Sequence, residues 1–235
     1  MSFLNTILKT TQKNLRDHPK ALEYLYARGV SDEQIDAIGI GYVPEDEWPP
    51  YVTGDTEDIQ SYLEWSSKGF RMRGKLVFPM RNPLGVLRGI QIRSPDRDKK
   101  DYSKFYLKRS KVDAVFFGAE LAMESVWETK RIFLCEGLFD YFPLQRIFSN
   151  TVCTGTANVS NRQIQFLERM VQDITVVFDM DWGGNEFWTK FQRDHSSKFR
   201  SLTRLELRGG KDVSDMWAAL GQEVLEERLT RQILL

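Results

Sequence analysis

The sequence predicts an α/β fold in two parts, an α+β N-terminal subdomain followed by a subdomain built on a mainly parallel sheet. Two observations carry that reading. From about residue 128, short apolar runs alternate with helical stretches: "RIFLCEG", "LFDYFPLQRIF", "TVCTGT", "SNRQIQFLERMVQ", "ITVVFD". Such alternation places parallel strands beneath covering helices. Upstream, helical stretches come first and short β-prone runs follow as a block. The expected boundaries are 1–125 for the first part, 126–217 for the second and 218–235 for a C-terminal helix.

Taken in order, "PKALEYLYARGV" has apolar residues on one face, and "SDEQIDAIGI" starts with a Ser cap followed by acids in the first turn. "YVPEDEWPPYVTGDTED" reads as a Pro-, Gly- and acid-rich loop. "KLVFPM", "VLRGIQIR" and "KFYLK" are short strands separated by the turns "RNPLG" and "SPDRDKKD", and a mixed sheet is expected there. In the second part, Pro143 falls within a helical pattern and is expected at a bend. Ser160 and Gln163 stand at capping-box spacing before an amphipathic helix. A further helix runs through "NEFWTKFQRD", and "SLTRLEL" is a fourth strand. The segment "RGGKDVSD" then leads to one last amphipathic helix.

The chain has 235 residues, 41% hydrophobic and 28% charged, ordinary values for a soluble globular protein with a sizeable core. No apolar run approaches bilayer-spanning length, so no membrane partner is expected. The N-terminus, "MSFLNTILKTTQKNLRDH", reads as structural and not as a signal peptide. Cys135 and Cys153 lie in strands and read as buried free thiols of a reducing compartment. With His18 and His195 they make no convincing zinc site.

Zero net charge conceals a segregation. Residues 32–64 hold ten acids and no Lys or Arg, whereas residues 68–111 hold fourteen bases and three acids, a local net of +11. A basic face for a polyanion and a pair of surfaces that neutralise each other within the fold account for this equally well.

Three strand ends deliver carboxylates. Glu136 follows "RIFLC", with Asp140 one helical turn on; Asp179 and Asp181 follow "ITVVF"; Asp212 and Asp215 follow "SLTRLEL". Ligands of open α/β sheets gather beyond the carboxyl ends of the strands. Asp179 and Asp181 are two apart, so in extended backbone they share a face. Gly183 and Gly184 would then turn the chain sharply and bring backbone close to a ligand. Converging carboxylates repel unless a cation compensates, and hard oxygen donors suit Mg2+ or Mn2+. The plainer alternative, that each acid caps a helix or pairs with a nearby base, is strongest for Asp215.

"CEGLFD", "FDMDWGGN" and "GGKDVSD", in this order, resemble the TOPRIM domain of bacterial-type primases, topoisomerases and some nucleases. "YLYARGVSDEQIDAIGIGYVP", "RMRGKLVFPMRNPLGVLRGIQIR" and "TGTANVSNRQIQFL" resemble the catalytic core of DnaG-type DNA primases, over residues 20–217. The resemblance implies a DNA-directed RNA polymerase: a nucleotidyltransferase making short RNA on a single-stranded DNA template from ribonucleoside triphosphates during DNA replication. It implies Glu136, Asp179 and Asp181 as catalytic residues, and Asp140, Asp212 and Asp215 with them as ligands of Mg2+ or Mn2+. Arg71, Arg73, Lys75, Arg93, Lys104 and Lys108 would contact nucleotide or nucleic acid.

The sequence also departs from the family. No cysteines are placed for the usual zinc module, which implies a separate zinc-binding subunit beside a replicative helicase as partners. Ser214 stands where many relatives carry a second acid, with Asp215 next to it, and Phe105 precedes Tyr106 where a Lys-Tyr pair is usual. The implied location is the cytoplasm of a bacterium or a phage-infected host. A TOPRIM nuclease using the same acids, and a non-enzymatic DNA-binding replication adaptor, are the competing functions. Elsewhere, Phe116, Phe117 and Trp127 are expected in the core, and His195 on the surface at a helix end. Trp182 is either a base-stacking or an ordinary aromatic, and Lys99-Lys100 belongs to a solvated turn.

Overall fold

The computed structural model describes residues 3–47, 52, 56–66, 70–96, 101–108, 115–156 and 158–234. Parts of the acid-rich loop, and the Lys99-Lys100 turn, lie outside the described residues. The chain divides into two compact units. Met1–Ala27, Ser31–Arg81 and Val86–Val112 form the first; Arg28–Val30, Asn82–Gly85 and Asp113–Leu235 form the second.

In the first unit, helices α1 (Phe3–Arg16), α2 (Pro19–Tyr26) and α3 (Asp32–Ile38) precede β1 (Gly41–Val43). Helix α1 begins well before the predicted helical region and buries Leu4, Ile7, Leu8, Thr11 and Leu15, the one-faced spacing of an amphipathic helix. Helix α3 starts on the full capping box of Ser31 and Gln34 and stops at Gly39, whose φ of 80° is left-handed. After α4 (Glu57–Trp65) come β2 (Lys75–Arg81), β3 (Leu87–Arg93) and β4 (Tyr102–Tyr106). The sheet runs β1-β2-β3-β4 and every pairing is antiparallel, so the expected mixed sheet is corrected. Short turns such as that between β2 and β3 can only reverse the chain, since a parallel return needs a long crossover. Val77, Ile90, Ile92 and Phe105 share a core with Leu4, Ile7 and Leu8 of α1.

The second unit contains α5 (Ala119–Thr129), β5 (Arg131–Cys135), α6 (Leu138–Ile147), β6 (Thr151–Cys153) and α7 (Asn161–Met170). It continues with β7 (Asp173–Val177), α8 (Trp182–His195), β8 (Ser201–Arg204), α9 (Val213–Leu220) and α10 (Gln222–Leu234). Its sheet has the order β6-β5-β7-β8 and is parallel throughout. Every residue of β7 is buried, as expected for a strand covered on both faces. Ile132, Leu134, Val152, Ile174 and Val176 form one core with Ala122 and Val126 of α5, Ile164 and Leu167 of α7, and Phe191 of α8.

Cys135 and Cys153 are buried free thiols facing each other in register. Pro143 lies inside α6. The single C-terminal helix expected from the sequence is two helices, because Gly221 interrupts it with a φ of 76°. Phe116 and Phe117 are core residues, but Trp127 is 59% exposed and is not. Among the described residues, no helix is long and apolar enough to cross a membrane.

Candidate active site

Strand β5 ends at Cys135, and Glu136 opens the connection to α6. Backbone on either side of it is fastened from β6. The Cys153 thiol donates to the Glu136 carbonyl at 3.2 Å, and the Thr154 N–H donates to the Cys135 carbonyl at 3.0 Å. Burial raises the Glu136 pKa above its ordinary value; Asp179 and Asp181 add to this and Lys211 opposes it.

Strand β7 ends at Val177, two residues before the first of its acids, so Asp179 and Asp181 lie in the bend leading to α8. Phe178 is fully buried beneath that bend. Asp179 is half-buried, and its pKa is pushed up to about 6 by burial first, then by repulsion from Asp212 and Asp181. Asp181 is the N-cap of α8. Its Oδ1 accepts from the Gly184 N–H at 3.0 Å, and its Oδ2 lies 3.1 Å from the Lys211 ammonium. Those two contacts hold its pKa below the ordinary value.

Gly183 and Gly184 do not turn the chain. Both belong to the first turn of α8, and neither has a positive φ. Gly184 is required for a different reason: a Cβ there would stand 2.0 Å from the Asp179 carbonyl oxygen. Gly184→Ala is therefore expected to displace the bend and cost about 1–3 kcal/mol of stability, as overpacking does. Denaturant unfolding checks this, and an unchanged midpoint would contradict the close approach.

The third carboxylate group sits at the start of α9. Asp212 is its N-cap, with Oδ1 accepting from the Asp215 N–H at 2.7 Å, while the Asp215 side chain is exposed. Asp140 is only 7% exposed and accepts from the Ser214 N–H at 2.9 Å. Burial above all, with repulsion from Asp212, pushes its pKa up to about 8. The Arg28 guanidinium lies 4.8 Å from the Phe139 ring and donates to the Ser214 hydroxyl at 3.3 Å.

The structure thus brings Asp179 and Asp181 within electrostatic reach of Glu136, and Asp212 within reach of Asp179, while Asp140 is buried and Asp215 is exposed. Two bases escaped the sequence reading. Arg204, at the end of β8, donates to the Asp179 carbonyl at 2.8 Å and to the Asn185 side chain at 2.7 Å. Lys211 receives the Met180 N–H on its carbonyl at 2.7 Å and places its ammonium among the acids. Their signal was position alone, a base at a strand end and a base inside "GGKDVSD".

The donor chemistry fits a hard divalent cation: carboxylate oxygens that repel one another, two of them half-buried with raised pKa. Among the described residues, however, no three Asp, Glu, His or Cys side chains already form a metal-holding group. Asp181 and Asp212 each give one oxygen to a helix cap, and the second oxygen of Asp181 faces the Lys211 ammonium.

The predicted nucleic-acid contacts lie in the first unit. Lys104 and Arg93 stand on β4 and β3, where Gln91 pairs with Lys104 and Arg93 with Tyr102. Arg71 is exposed, 5.8 Å from the Trp65 ring; Arg73 and Arg93 are half-buried. Lys75 pairs with Asp101 at 2.5 Å, and Lys108 pairs with Glu57 of α4. Part of the charge segregation is therefore neutralised within this unit.

The model of the Toprim-like family matches residues 133–217, the stretch that carries all of these acids. The DNA primase of Staphylococcus aureus (strain COL) is 24% identical over 221 residues, covering 87% of this chain and 36% of the relative. The chain therefore spans about a third of the length of the curated relatives it matches. Among solved structures, a DNA primase domain from Pseudomonas aeruginosa superposes with a TM-score of 0.76 at 24% identity, covering 97% of this chain and 77% of that one. A DnaG primase catalytic domain bound to single-stranded DNA gives 0.75 at 22% identity, covering 97% and 79%. The chain carries a Toprim-like segment over residues 133–217, is similar in sequence to curated DNA primases, and shares the fold of DnaG-type primase catalytic domains.

Proposed function

We propose that this chain is the catalytic core of a DNA primase, joining ribonucleotides on a single-stranded DNA template. The observation that carries the reading is the gathering of Glu136, Asp179, Asp181 and Asp212 beyond the strand ends of a Toprim-like parallel sheet. In the reaction, a 3′-hydroxyl attacks the α-phosphorus of an incoming triphosphate. The new P–O bond forms as the bond to pyrophosphate breaks. Glu136, half-buried and held above its ordinary pKa, is suited to receive the hydroxyl proton.

Asp179 and Asp181 would hold Mg2+ or Mn2+ with Glu136 and Asp212, and Asp140 and Asp215 in support. When bound, the ion lowers the hydroxyl pKa and offsets charge on the leaving pyrophosphate. Arg204 fixes the Asp179 carbonyl, and the Cys153 thiol fixes that of Glu136, so both acids project from backbone held on two sides. The basic residues Arg71, Arg73, Lys75, Arg93, Lys104 and Lys108 would track phosphates of template or nucleotide, giving salt-sensitive binding. A replicative helicase and a separate zinc-binding subunit are the partners this reading expects, in a bacterial or phage-infected cytoplasm.

Arg93→Ala is expected to weaken binding of single-stranded DNA or triphosphate about 10–100-fold, the worth of a charge-assisted hydrogen bond. Mn2+ affinity should be unaltered. Anisotropy titrations check it; equal affinity for both ligands would remove Arg93 from the interface.

The function itself is tested by incubating the protein with single-stranded DNA, labelled ribonucleotides and Mg2+ or Mn2+, then resolving products by size. Short RNA complementary to the template is expected. Shortened DNA without RNA would assign the acids to phosphodiester cleavage instead, and binding without any product would leave an adaptor.

A further inference from the structure

Lys211 stands where a cation belongs. Its backbone is tied to the bend between β7 and α8, because its carbonyl receives the Met180 N–H at 2.7 Å. Its side chain is free to move by comparison: 52% of it is exposed, and the ammonium reaches Asp181 Oδ2 at 3.1 Å. The same ammonium favours the charged forms of Glu136 and Asp179, and is itself stabilised by Asp181, Asp179 and Asp212. The Lys211 ammonium therefore faces four carboxylates, with the Arg204 guanidinium held at the Asp179 backbone, and among the described residues no three acids already form a metal-holding group.

We propose that Lys211 is the resident counter-ion of the metal-free site, leaving Asp181 when a divalent cation binds and then taking a phosphate oxygen of the nucleotide. This rests on the reading of the acids as a metal site. A divalent ion among several carboxylates is attracted more strongly than one ammonium is, and it can keep part of its water shell while it displaces the pair. Lysine suits the role: it is a compact point charge on a flexible stem, without the two-point grip of arginine on a carboxylate. Because the backbone of Lys211 is pinned to the acid-bearing bend, only the stem has to swing. The displaced ammonium remains beside the site, where a triphosphate brings new negative charge. No covalent step is involved.

The proposal predicts effects of opposite sign from one substitution. Lys211→Met keeps the length of the stem and removes the charge, at a position exposed enough to leave folding intact. Mn2+ binding to the whole chain, followed by the electron paramagnetic resonance of free Mn2+, is expected to tighten roughly tenfold. Triphosphate binding at saturating Mg2+, followed by equilibrium dialysis, is expected to weaken roughly tenfold. Lys211→Arg, which keeps the charge and can grip the carboxylate at two points, should not tighten Mn2+ binding. Mn2+ affinity that is unchanged or weaker in Lys211→Met overturns the proposal, and so does unchanged triphosphate affinity. If the parent protein binds no Mn2+ at millimolar concentration, the metal reading of the acids fails, and the role of Lys211 fails with it.

Discussion

Asp179→Ala is expected to lower primer synthesis by about 10³-fold or more, the loss that follows when several kcal/mol of charge stabilisation at phosphorus are removed. The same variant should fold as well as the parent, or better. The folded-state pKa of Asp179 is raised from 3.8 to about 6, because burial and the neighbouring acids disfavour its charge. A carboxyl with a raised folded pKa costs stability as pH climbs from its unfolded value through the folded one. At pH 7 and above that cost is fully present in the parent and absent in the variant. The melting temperature of Asp179→Ala at pH 7.5 should therefore equal or exceed that of the parent, while at pH 3 the difference disappears. An inactive variant that also melts well below the parent at pH 7.5 would mean that Asp179 is structural.

Phe178→Ala should have the opposite profile, a loss of stability first and of activity as a consequence. Phe178 is fully buried, its ring centroid 4.7 Å from that of Phe187 and 6.2 Å from that of Phe191. Truncating a buried phenylalanine costs about 3–5 kcal/mol, from lost burial and the cavity left behind. Because Phe178 directly precedes Asp179, the cavity opens beneath the acid-bearing bend. Phe178→Leu, which refills most of the volume, should recover much of the stability. Denaturant unfolding measures both, and a loss under 1 kcal/mol in Phe178→Ala would contradict the role of this ring as anchor of the bend.

These two neighbours show what the sequence could and could not convey. The parallel sheet was legible because β5 and β7 carry short runs, residues 132–135 and 174–177, that are apolar but for Thr175 and are followed by helices, the pattern of strands covered on both faces. The capping boxes at Ser31 and Ser160 were legible because a cap is local chemistry. The direction of the N-terminal strands was not, because short apolar runs carry no sign of which way a neighbour runs. Trp127 was misplaced because a helix of mixed polarity leaves its buried face open to more than one choice.

At the site, residue types were readable, but their double duties were not. Asp181 and Asp212 each cap a helix with one oxygen, an arrangement fixed by where α8 and α9 begin. Gly184 is glycine because a carbonyl passes beside it, which only the fold reveals. Arg204 donates to the backbone carbonyl of Asp179, and Lys211 accepts the Met180 N–H on its own carbonyl; sequence places neither pairing in space.

Diffraction from crystals soaked in Mn2+, recorded for its anomalous signal, tests most directly whether these acids are a metal site. The expected result is a peak coordinated by Asp179 and Asp181, near Glu136, with the Lys211 ammonium withdrawn from Asp181. No peak at saturating Mn2+, with the Asp181–Lys211 pair intact, would contradict the assignment of these acids to metal-dependent nucleotidyl transfer.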